Sequence, residues 1–164
     1  MDKTCLRILS AVVIAMLMVG CGGEQEVPEP QQASAEDAEE ALRAARADSV
    51  AMAQTQYNPA VFDTIAWGGD QERFERGELV WSYSCTTCHG TRGRGDGELA
   101  VQNDLSMPDF TVEDWTYGND IPAIRHRVYI GHESEMPSWG LYGLPYRDID
   151  AVAFYVNEVF RRAQ

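Results

Sequence analysis

Along the second half of the chain, apolar and polar positions recur with the period of a helix in three stretches. Phe74, Gly77, Val80 or Trp81, and Ser84 share one face of a helix that starts near Asp70 and runs into Cys85. Gly inside a helix costs about 1 kcal/mol relative to Ala, so Gly77 marks a close helix crossing. A second helix is predicted from about Ile121 to Ile130. Gly118-Asn119-Asp120 offers a turn and cap, Pro122 suits the first turn and Gly131 stops the helix. Ile121, Ile124 and Val128 form its apolar side. In the third stretch, residues 147–162, the apolar face is Ile149, Val152, Ala153, Val156, Val159 and Phe160. Asp148 and Asp150 suit its first turn, and Arg161 and Arg162 its last.

The first half reads differently. Residues 22–32 hold a Glu/Pro/Gln patch, and residues 33–53 are rich in Ala and acidic residues, with Leu42, Val50 and Met52 as a thin apolar stripe. Glu39 stands four positions before Arg43, which supports partial helicity. Such a stretch builds no core, so residues 21–56 are expected to be an acidic linker, partly helical, with a docking helix as the alternative. As flexible coil, the segment between Cys21 and Asp70 would span about 40 Å, and a helical portion would stiffen it. Residues 57–69 carry Val61, Phe62, Ile65 and Trp67, too apolar for a solvated tether. They are expected to pack on the domain of residues 70–164, with a surface that docks into a partner subunit as the alternative.

Residues 1–20 look like a signal peptide. Lys3 and Arg7 precede an apolar run over residues 8–19 that is too short to span a membrane permanently. Its end, Leu17-Met18-Val19-Gly20-Cys21, resembles a bacterial lipobox, in which cleavage leaves a lipidated Cys at the start of the mature chain. Met18 departs from the usual Leu at that place. An ordinary signal peptide with a free Cys21, or an uncleaved anchor, are the alternatives. Acylation of Cys21 would hold the protein on the outer side of a bacterial membrane.

The chain has 164 residues with 45% hydrophobic content, enough for one modest core. Loss of residues 1–20 removes Lys3, Arg7 and Asp2, leaving 11 Arg, no Lys and 25 acidic residues, a net charge of −14. That balance argues against nucleic acid and against peripheral binding to anionic lipid. A steered redox partner would present a basic face.

The chemistry centres on Cys85-Thr86-Thr87-Cys88-His89-Gly90. Two thiols three positions apart followed directly by an imidazole form the attachment pattern for c-type haem: each Cys adds across a vinyl group and the His ligates iron. A redox dithiol needs no such His. A zinc site needs further ligands, and beyond residue 21 the chain has no other Cys. Cys5 leaves with the leader and Cys21 takes lipid, so no thiol remains for a disulfide. Covalent haem attachment requires an extracytoplasmic compartment, in agreement with the leader.

After His89, Gly90, Gly93, Gly95 and Gly97 alternate with Arg92, Arg94 and Asp96. No strand precedes this run and no Lys-Ser/Thr follows, so it is not a phosphate loop. The two Arg are solvated or approach a haem propionate. A short polar loop leads to Met107-Pro108-Asp109-Phe110. Later comes Met136-Pro137-Ser138-Trp139, where a soft, neutral thioether beside Pro is suited to close the far side of a haem. Met107, His132 and His126 are the alternative ligands. Trp115, Tyr117 and Trp139 are candidates for packing around the haem, with an indole N–H to a propionate as the sharper guess.

Residues 70–164 thus resemble the monohaem class I cytochromes c in bacterial lipoprotein form. The resemblance rests on Gly77 ahead of Cys85-x-x-Cys88-His89-Gly90, the glycine run, Pro108-Asp109-Phe110, Gly131 with Met136-Pro137-x-Trp139, and a closing helix with Tyr155-Val156. It implies a small all-α fold wrapped around one covalent haem c, with the first and last helices crossing near Gly77 and Tyr155. It implies His89 and Met136 as axial ligands and a Pro108 carbonyl that accepts the His89 ring N–H. Residues 22–69 lie outside the resemblance. The Lys ring through which mobile cytochromes dock has no counterpart here.

The expected function is a lipid-anchored, extracytoplasmic one-electron carrier between respiratory complexes, for example from a quinol-oxidising complex to a terminal oxidase. A fixed cytochrome subunit of a membrane respiratory or dehydrogenase complex is the alternative. A haem enzyme or gas sensor, which needs an open sixth position, comes third. No small-molecule substrate is expected.

Overall fold

A computed structural model describes residues 34–161. The expected signal peptide, Cys21 and Arg162 lie outside the described residues, which all belong to one compact unit of residues 33–164. Among the described residues every regular element is helical.

Helix α1 spans Ala35–Gln56 and opens on a Ser34 cap, where the Ser34 hydroxyl oxygen accepts from the Asp37 N–H and the Asp37 carboxylate accepts from the Ser34 N–H. Its first half is exposed throughout. Its second half packs: Ala53 has no exposed surface, and Val50 and Tyr57 lie against the core. A short 3-10 turn, Pro59–Thr64, follows and buries Phe62. Phe62 packs at 5.0 Å from the Tyr146 ring and under the Arg125 guanidinium at 4.7 Å. Trp67 is tied down as well, its indole N–H donating to Asp150 at 2.7 Å.

Helix α2, Asp70–Val80, crosses α6, Tyr146–Val156, and the two form the centre of the fold. The crossing is set by Gly77, where an added Cβ would run into the Ala151 carbonyl and come within 2.7 Å of the Tyr155 Cβ. Ile149, Val152 and Val80 are fully buried around it. Asp148 and Asp150, which suit the first turn of this helix, are both buried. Arg76 donates twice to Asp148, at 2.7 and 2.6 Å, while Arg73 and Arg125 both pair with Asp150. A buried carboxylate persists only with such partners.

Past Val80 the chain widens into a π-helical turn, Trp81–Cys85, before the short helix α3, Thr86–His89. One extra residue per turn re-aims the side chains, so that Trp81 is buried and Cys85 half-buried. Apolar spacing reads this run as uninterrupted helix. Helix α4, Glu98–Gln102, falls in a stretch expected to be loop and buries only Ala100. Helix α5, Ile121–Ile130, has the predicted bounds, with Asp120 capping the Ala123 N–H at 3.0 Å and Gly131 beyond its end at φ 75°. α6 ends in a second wide turn, Asn157–Arg161, whose Arg161 donates to the carbonyls of Phe110, Val112 and Gly118.

Candidate functional site

The turn at Trp81–Cys85 and helix α3 present Cys85 and His89 to a cavity of about 380 Å³. Trp81, Phe110, Ile124, Val128, Val152 and Val156 make its wall largely apolar, and the Met136 loop closes another side. A smaller recess of about 40 Å³ adjoins it and adds Cys88, Glu135, Pro137 and Trp139. Cys85, His89, Met107, Val128 and Met136 line both. Cys85, His89 and Met136 thus line one cavity and the recess beside it, and Cys88 lines the recess.

Burial governs the protonation of these groups. It pushes the Cys85 thiol up to about 12, with the neighbouring Cys88 adding to the rise, and it raises Cys88 as well. A redox dithiol needs the opposite, a lowered thiol. Burial also draws His89 down to about 4, which leaves a neutral imidazole able to ligate a metal at physiological pH. His89 Nδ1 is buried with no hydrogen-bond partner, so the bond to the Pro108 carbonyl that the resemblance implies is not formed. Pro108 and Trp115 line the main cavity, Trp139 the recess. Among the described residues, no three His, Cys, Asp or Glu side chains gather as a separate metal site.

The loop that carries Met136 is built by the end of α5. Gly131 adopts φ 75°, and an added Cβ there would come 2.5 Å from the Met136 carbonyl oxygen, so the turn requires Gly. The His132 N–H donates to the Met136 carbonyl at 2.8 Å, and the buried Ser138 hydroxyl donates to the Ile130 carbonyl at 2.7 Å. Arg127 adds a bond to the Gly131 carbonyl at 2.7 Å.

The family described as "Cytochrome C oxidase, cbb3-type, subunit III" matches residues 72–156, just over half of the chain. The chain belongs to this family. It is a c-type cytochrome with covalently bound haem c, and its sequence holds one attachment motif. Among its relatives, the cbb3-type cytochrome c oxidase subunit FixP of Azorhizobium caulinodans is 33% identical over 89 residues, covering 54% of this chain and 28% of that protein. FixP of Bradyrhizobium diazoefficiens is 31% identical over 51% of this chain and 27% of that protein. The CcoP subunit of Rhodobacter capsulatus is 30% identical over 55% of this chain and 30% of its own length. The cytochrome therefore aligns with less than a third of each relative. No solved structure matches.

The cytochrome's residues fit a haem on the observations above. The cavity is apolar and of the size of a cofactor site. Two buried ring nitrogens of residues on its wall, His89 Nδ1 and the Trp81 indole Nε1, lack partners in the chain. Periodicity did not single out the cation beside the cavity. Arg92 is exposed and lies 3.8 Å from Asp96, Arg94 is exposed, and neither lines the cavity. Arg127 of α5 does line it, oriented by the Tyr117 hydroxyl at 2.6 Å from its Nε. An Arg on a mostly polar helix face reads as a surface charge, and only the folded position of α5 marks it out.

Proposed function

We propose that the cytochrome is the haem-bearing electron-transfer subunit of a membrane respiratory oxidoreductase complex, working on the periplasmic side. Haem c supplies a one-electron couple when bound. Cys85 and Cys88 would hold it by thioethers, His89 and Met136 would ligate its iron, and Arg127 would pair with a haem carboxylate. Pro108 and Trp115 pack against it in the main cavity, and Trp139 does so in the recess.

The observation that carries this reading is the convergence of Cys85, His89 and Met136 on one largely apolar cavity. With His89 and Met136 both ligating the iron, no position would remain for a substrate, so the proposal is electron transfer and not haem catalysis. Low polarity and a neutral thioether favour the ferrous state and raise the potential. Relatives named as oxidase subunits favour a fixed subunit over the free carrier between complexes that the sequence first suggests. Among the described residues no helix is long and apolar enough to cross a membrane. The lipobox-like end of the leader is what supports attachment through acyl chains on Cys21. The excess of acidic residues calls for a partner with a basic face.

Gentle solubilisation of native membranes followed by size separation tests the assembly. The haem of this chain is expected to migrate with a larger complex, and migration as a lone small cytochrome would favour the free carrier. For the anchor, Cys21→Ser should release the protein from membranes unless the complex retains it. Full partition of a Cys21→Ser protein stripped of its partners would contradict lipid attachment.

A further inference from the structure

Helix α1 lies outside the span shared with the family, yet it reaches the loop that carries Met136. The Arg46 guanidinium donates from Nη1 to Glu135 Oε1 at 3.0 Å and stands 2.8 Å from Oε2 through Nη2. A two-point pair of guanidinium and carboxylate fixes direction as well as distance. Both side chains are 32% exposed, so the pair is sheltered without being sealed from water.

Arg46 is held on a helix that is itself fixed. Arg46, Val50, Ala53 and Tyr57 recur at the spacing of one helical face. Ala53 is fully buried, and Tyr57 stacks edge-on against His126 at 4.8 Å and Tyr129 at 5.3 Å. His126 Nε2 lies 2.8 Å from Gln54 Oε1. Glu135, at the other end of the pair, immediately precedes Met136 and lines the recess with Cys88.

We propose that Arg46 is a positioning residue for Met136: through Glu135, α1 straps the Met136 loop to the domain and keeps the thioether from swinging away. This rests on the reading of Met136 as an axial ligand. The strap makes a segment outside the shared cytochrome domain a determinant of how firmly the sulfur is held.

The test uses the full-length holoprotein in the ferric state, with imidazole as the probe, since imidazole reaches iron only when the sulfur has left. Arg46→Ala and Glu135→Gln are each expected to raise the apparent imidazole affinity about threefold to fivefold, the scale of a partly exposed ion pair. Arg46→Lys should recover part of the loss, and the exchange Arg46→Glu with Glu135→Arg should recover most of it, with the unfolding midpoint little changed throughout. Unchanged affinity in both single variants, alongside prompt imidazole binding by Met136→Ala, overturns the strap and leaves the ligand reading standing. A rise that only follows a lowered unfolding midpoint, and that Arg46→Lys does not reverse, overturns it too. If Met136→Ala keeps wild-type affinity and its sulfur-to-iron absorption, the ligand reading itself has failed.

Discussion

Gly77 of α2 meets Tyr155 of α6 with no side chain between them, and a Cβ added to Gly77 would stand 2.7 Å from the Tyr155 Cβ. The Tyr155 ring then packs 5.2 Å from Phe74 and 6.1 Å from Trp81. Because α2 leads through Trp81 to Cys85 and His89, while α6 supplies Val152 and Val156, this one contact joins two of the elements that line the cavity.

Gly77→Ala is therefore expected to lower stability. The gain in helix propensity is about 1 kcal/mol, whereas forcing a methyl into a packed crossing costs about 1 to 3 kcal/mol and more where backbone must move. The Ala151 carbonyl is such an obstacle. Denaturant unfolding of the holoprotein should show a net loss of about 1 kcal/mol or more, and a variant as stable as the parent would contradict the crossing.

Asp150 gathers three donors from distant parts of the chain: Trp67 at 2.7 Å, Arg73 at 2.7 Å and Arg125. Removing one member of such a buried group leaves charges without a counter-ion, at a cost of about 3 to 5 kcal/mol. Asp150→Asn should lose stability on that scale in urea unfolding. A loss below about 1 kcal/mol would mean that water reaches the Arg side chains.

The contact between α1 and α5 should respond to acid. Burial first, and the charge of Arg127 second, hold the His126 imidazole below its ordinary value of 6.5. The folded state thus prefers the neutral ring beside Gln54 and Tyr57. Its contribution is fully present above the unfolded value and is lost as pH falls from about 6.5 toward the lowered folded value. The unfolding midpoint should decline between pH 7 and 5, and His126→Asn should flatten that decline. An identical slope in the variant would remove His126 from the account.

Helix α5 was legible to the residue, because Asp120, Pro122 and Gly131 are stop and start signals of local origin. The haem motif and the Met136 loop were legible for the same reason. What escaped depends on distance along the chain. The docked half of α1 presents Ala53 and Val50, and a buried Ala on an Ala-rich helix reads no differently from an exposed one. The Arg46–Glu135 pair spans 89 positions, and Asp150 bonds to Trp67 across 83. Asp148 and Asp150 fit a helix start so well that local reasoning had no cause to bury them. The wide turn at Trp81–Cys85 was hidden because one inserted residue does not disturb the apolar count over two turns.

If His89 and Met136 close the haem of this cytochrome on both sides, it carries electrons and takes no substrate. The most direct measurement is the weak ferric sulfur-to-iron absorption near the red edge of the spectrum, read together with CO binding to the reduced protein, in the parent, Met136→Ala and Met107→Ala. The absorption is expected in the parent and in Met107→Ala, with no prompt CO binding by either. Met136→Ala should lose the absorption and bind CO. Persistence of the absorption in Met136→Ala, or prompt CO binding by the parent, would contradict that closure.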